Sequence, residues 1–190
     1  MKSEISLTNY QNYIRRKPDK FKLTIVDLLY ISNFKGGNAT INVDEEILNK
    51  KLKSYSDIFN QIDNAFQNQT LVQTTDSDFT KLIEFIKSVV QLCQTEKTAI
   101  DGFKSSFLSA LLHSYFPELI PILDRRLLIN LNLVQLSDLS KGRQVNKIEN
   151  FYPILIAKIR EICKSSNETI RQIDKKYFII KLPDWATKIL

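Results

Sequence analysis

Apolar side chains recur at helical spacing along most of the chain, and nowhere do they alternate long enough to build a sheet. Over residues 20–33, Phe21, Ile25, Leu28, Leu29 and Ser32 share one helical face, and the following Gly36-Gly37 is where a left-handed C-terminal cap belongs. A stronger signal follows. Asn42 is a candidate cap with Glu45 three residues later, and Ile47, Leu52, Tyr55, Ile58, Phe59, Ile62 and Phe66 repeat at helical spacing. Beyond a polar stretch, 68–77, another helix places Phe79, Leu82, Ile83, Ile86, Val89 and Val90 on its buried face.

The texture changes over residues 101–132. Ser105 or Ser106 opens an apolar helix, FLSALLHSYF, which Pro117 ends; PELIPILD then reads as extended, because each proline turns the residue before it away from helix. Asp124 caps a short helix, RRLLINLNL, and residues 135–150 form a polar loop before two last helices, 152–163 and 168–180. There is no internal repeat and no sustained heptad. The pattern predicts an all-α fold: one compact multi-helix domain over 1–190, or two small helical lobes, about 1–95 and 96–190, around a cleft.

Composition narrows the chemistry. The 190 residues are 43% hydrophobic and 25% charged, as in a folded domain rather than a disordered chain. Cys93 and Cys163 are far apart and His113 is the single histidine, which argues against a zinc ribbon, an iron–sulfur cluster or a His-rich metal site. Four glycines leave no P-loop and no dinucleotide fingerprint. No apolar run is long enough for a membrane span and the N-terminal stretch lacks the core of a signal peptide, so the expectation is a cytoplasmic protein with no membrane partner. Net charge is +6, and it is uneven: residues 1–95 carry 12 basic and 11 acidic side chains, residues 96–190 carry 15 and 10. A basic second half suits a polyanionic partner or a solvated surface, and charge alone does not separate the two.

Segment lengths suggest a site. A helix over 104–116 is about 18–20 Å long, and an extended 117–123 reaches up to about 23 Å. If that extension runs back along the helix, Asp124 returns to Lys104, twenty residues earlier, with each at a helix N-terminus. Cap and dipole both stabilise a carboxylate in such a place, whereas the same positive end disfavours a second positive charge, the electrostatic setting of an amine nucleophile.

Gly102-Phe103-Lys104 and Pro121-Ile122-Leu123-Asp124, the latter leading into an apolar helix, resemble the core of the helix-hairpin-helix DNA glycosylases over about 30 residues. Where that family has an L-P-G-[VI]-G hairpin, this chain has KTAIDGFK with one glycine. The resemblance implies two helical lobes with DNA across their junction and an extruded nucleotide between them. It implies that Lys104 is the Schiff-base lysine and Asp124 the carboxylate that supports the sugar cation, with no metal or organic cofactor. Lys35, Gly36, Gly37 and Asn38 are candidates for a phosphate-binding nest, and Arg125 and Arg126 for contacts to a DNA backbone. Arg15-Arg16-Lys17 with Lys20 and Lys22 forms either a phosphate-binding arm or a solvated charge run. His113 reads as structural, with a phosphate or the 117–121 turn as the bonds open to it. The competing reading is a non-catalytic helical module of a bacterial defence or regulatory system that binds nucleic acid or a protein partner; the sequence is silent on oligomeric state.

Overall fold

The structure, a computed structural model, describes residues 2–36 and 41–187. Among these residues the fold is all-α, with nine helices, two short 3-10 turns and no strand. Helix α1 (Lys2–Arg16) arises from Leu7, Tyr10 and Ile14, a buried stripe at spacings of three and four. The basic block expected as an arm or a solvated run is therefore the last turn of a helix, where Arg15 and Arg16 face solvent. Lys17 does neither: its side chain is 6% exposed and pairs with the fully buried Asp27 at 3.0 Å.

Helix α2 (Ile25–Lys35) starts later than the apolar spacing predicted. Thr24 and Asp27 form the N-terminal box, with the Asp27 carboxylate accepting from the Thr24 N–H at 2.8 Å. This sets the buried face to Asp27, Leu28 and Ile31, and leaves Leu29 56% exposed. Asp27 also accepts from the hydroxyls of Tyr10 and Tyr115, each at 2.9 Å, so a buried charge has a full set of donors. The helix stops at Gly36, whose φ of 67° is the left-handed cap the sequence placed there.

Helix α3 (Glu45–Phe66) is capped by Asp44 rather than Asn42, through bonds from the Glu46 and Ile47 N–H groups. Its buried stripe runs through Leu48, Leu52, Tyr55, Phe59, Ile62 and Phe66, with Ile47 outside it. Helix α4 (Asp76–Gln94) opens on a Thr75–Asp78 capping box. There follow α5 (Ser105–Tyr115), α6 (Arg125–Asn130), α7 (Tyr152–Ser166), α8 (Ile170–Ile179) and α9 (Asp184–Thr187), with the 3-10 turns inside the polar 135–150 region and its edge.

Helix α5 is the hub. The α1–α2 pair packs on it, as does α4, which also meets α3 and α7; α8 joins α7 to α6. Leu108, Ser109, Ala110, Leu111 and Leu112 are all fully buried. At the end of α5, Tyr115 touches the rings of Phe59 (5.2 Å), Phe21 (5.8 Å) and Tyr10 (6.3 Å). Buried side chains from residues 1–95 and from residues 96–190 join in one core cluster.

Candidate functional site

The path of PELIPILD decides the site. After a turn at 117–119, in which the N–H groups of Leu119 and Ile120 both bond to Phe116 O, the chain runs back along α5 as an extended strap. Its backbone has no strand to pair with, so polar side chains answer it. Ser109 Oγ accepts from Leu123 N–H at 2.9 Å, Ser106 Oγ donates to Leu123 O at 3.2 Å, and His113 Nδ1 donates to Ile120 O at 2.8 Å. From the other side Tyr152 donates its hydroxyl to Pro121 O at 2.8 Å. Ser106, Ser109 and His113, at spacings of three and four, are a polar stripe on an otherwise apolar helix, and this stripe was the unread signal for the strap.

The strap delivers Asp124 as the N-cap of α6, with Oδ1 accepting from Arg126 N–H at 2.8 Å. Lys104 is delivered by the 95–103 turn, which α3 holds through Tyr55 Oη to Thr98 O (3.2 Å) and Lys51 Nζ to Ala99 O. Gly102, at φ 77°, lets this turn close between Ile100 and Phe103. Lys104 then stands at the N-cap of α5, exposed, and its side chain has no hydrogen bond or ion pair among the described residues.

Lys104 and Asp124 line one cavity of about 550 Å³, with Lys35, Arg125, Ser105, Ser106 and Glu149 also on its wall. Three cations face two carboxylates there. Glu149 accepts from Gln94 Nε2 at 3.0 Å, and Lys35 Nζ lies 3.4 Å from Asp124 Oδ2. Cys93 is on the same wall, but burial pushes its thiol up to about 11, which keeps it protonated and unreactive at neutral pH.

The predicted nucleic-acid contacts separate. Lys35 and Arg125 reach the cavity, with Arg125 Nη1 donating to Arg143 O. Arg126 turns away, donating to Ile180 O at 3.1 Å and stacking 5.1 Å from the Phe178 ring. Gly36 is occupied as a helix cap, and Gly37 and Asn38 lie outside the described residues. His113 is fully enclosed, and burial lowers its imidazole to about 4.

Asp174 on α8 was not anticipated. It is buried and bonded to Arg171, and it titrates near 6, raised first by burial and then by the charge of Asp124, while Arg171 and Lys35 act to lower it. Nothing in its sequence context, RQIDKKYF, distinguishes it from an exposed helix residue. Among the described residues, no three metal-ligating side chains come together and no helix is long and apolar enough to cross a membrane. No protein-family model, curated protein or solved structure matches the chain.

Proposed function

We propose that the protein acts on DNA as a glycosylase and abasic-site lyase, with Lys104 as nucleophile and Asp124 as electrostatic support. One observation carries the reading: an unpartnered amine and a carboxylate, each at a helix N-terminus, line a single cavity within the size range of small-molecule sites. In an extruded nucleotide the C1′–N bond breaks, and the base leaves with the electron pair and takes up a proton. The Lys104 amine bonds to C1′ and gives up one proton; the C1′–O4′ bond then opens, O4′ leaving with the bonding pair and taking that proton as a hydroxyl, which gives a protonated imine. Loss of a C2′ proton then expels the 3′-phosphate and cuts the strand. Asp124 faces the positive charge that develops on the sugar, where a fixed anion counts most.

The test is borohydride trapping on duplexes carrying an abasic site, 8-oxoguanine or uracil. The expected result is a covalent adduct that Lys104→Ala abolishes, with base release slowed in Asp124→Asn while the fold is intact. An adduct retained by Lys104→Ala removes the mechanism.

A second reading, a non-catalytic binding module, is favoured by the bonds Asp124 already makes, one oxygen to a backbone N–H and the other to Lys35. It predicts salt-sensitive DNA binding with no adduct.

A further inference from the structure

We infer that Lys35 is the positioning residue of this site: from the last turn of α2 it fixes the second oxygen of Asp124 across the cavity. The inference rests on the reading of Asp124 as the carboxylate of the site. The Arg126 N–H holds Oδ1 at 2.8 Å, which sets one edge of the carboxylate; Lys35 Nζ, 3.4 Å from Oδ2, sets the other. The two side chains are only 15% and 20% exposed, so solvent screens their attraction less than it does a surface pair. Lys35 is itself anchored, because α2 packs on α5 and ends one residue later at the Gly36 cap.

The pairing also tells two amines apart. Lys35 and Lys104 share the cavity wall, yet the Lys35 amine is tied to a carboxylate while the Lys104 amine has no partner among the described residues. The held amine orients the carboxylate, and the unheld one is left to react. A second carboxylate, Asp174, feels both Lys35 and Asp124. The charged groups acting on it are Arg171 on its own helix, Asp124 at the start of α6 and Lys35 at the end of α2.

Lys35→Met and Lys35→Arg test the assignment with two readouts on the full chain. The first needs no catalysis. In a carboxyl NMR titration, the Asp174 midpoint, which burial pushes up to about 6, is the expected reference in the unsubstituted protein. Lys35→Met should raise that midpoint by about one unit, and Lys35→Arg should return it. Asp124→Asn, which keeps the cap, should lower it, and this second variant keeps the charge coupling testable should Lys35→Met not fold. A midpoint that neither Lys35→Met nor Asp124→Asn moves overturns the inference. The second readout is base release: Lys35→Met should lower kcat about tenfold or more with KM unchanged, and Lys35→Arg should restore it. A rise in KM with kcat unchanged would make Lys35 a substrate contact instead and overturn positioning. If the unsubstituted protein gives neither base release nor adduct, the proposed function falls, while the titration still decides whether the charges of Lys35 and Asp124 are coupled to Asp174.

Discussion

His113 is enclosed between α5 and the strap, and its imidazole stays neutral down to about 4, against 6.5 for an unburied one. Across that window the unfolded chain binds the extra proton, so the His113 contribution to stability is complete above 6.5 and drains away as pH falls toward 4. Asp174 runs the other way. Its folded form holds a proton up to about 6, against 3.8 in the unfolded chain, so its contribution grows as pH falls through that interval. Each shift is on the order of 2 units, and the two offset each other between about pH 6 and 4. Urea unfolding at pH 7 and pH 4.5 should expose both. Relative to the unsubstituted protein, His113→Gln should lose less stability on acidification and Asp174→Asn should lose more, each by on the order of 2 kcal/mol. Identical pH dependence in all three proteins would contradict the assignment. Residue-level legibility divides along the same line. Asp124 was readable because a cap is decided by its immediate neighbours, whereas Asp27, Asp174 and Lys17 owe their roles to partners in other elements. Lys17 Nζ, for instance, bonds the hydroxyl of Tyr115, 98 residues away.

Among the elements, the strap on α5 makes the sharpest prediction. Ser109→Ala leaves the buried N–H of Leu123 without its acceptor, and an unsatisfied buried amide costs about 1–3 kcal/mol. Chemical denaturation should show a loss in that range; a loss near zero would mean that the strap does not depend on the serine. Thr75→Ala at the start of α4 should cost about 1 kcal/mol, the usual worth of a cap. The proline spacing made the extended course of the strap legible. What the sequence did not disclose was that helix side chains would answer its backbone, since apolar periodicity scores Ser106, Ser109 and His113 as interruptions. The late start of α2 has a similar cause. Phe21 fits the helical spacing, but it packs from the preceding loop 6.1 Å from the Phe116 ring, and the Thr24–Asp27 box fixes the boundary instead.

For the molecule as a whole, the all-α class was legible from the absence of alternating segments, while the choice of α5 as hub was not, because only tertiary contacts determine which apolar faces meet. The basic excess of the second half does not set the charge of the cavity: that half places Lys104 and Arg125 against Asp124 and Glu149 there, and Lys35 from the first half supplies the extra cation. With Lys35 tied to Asp124 and Lys104 placed as the nucleophile, Arg125 remains on this wall to meet phosphate. Duplex affinity should therefore fall with salt on a shallow log–log slope of about −1. A slope of zero would remove nucleic acid as the partner. The strap has one more consequence. A buried extended segment rich in proline, isoleucine and leucine is, chemically, an unpaired strand, and an uncovered one offers its N–H and C=O groups to any other chain. Here the strap's Ile120, Pro121, Ile122 and Leu123 are all buried, with Ser106, Ser109, His113 and Tyr152 occupying carbonyls and an amide that a foreign strand would otherwise claim. The same side chains that set Asp124 in place thus keep this segment from offering an edge on which fibrils could start.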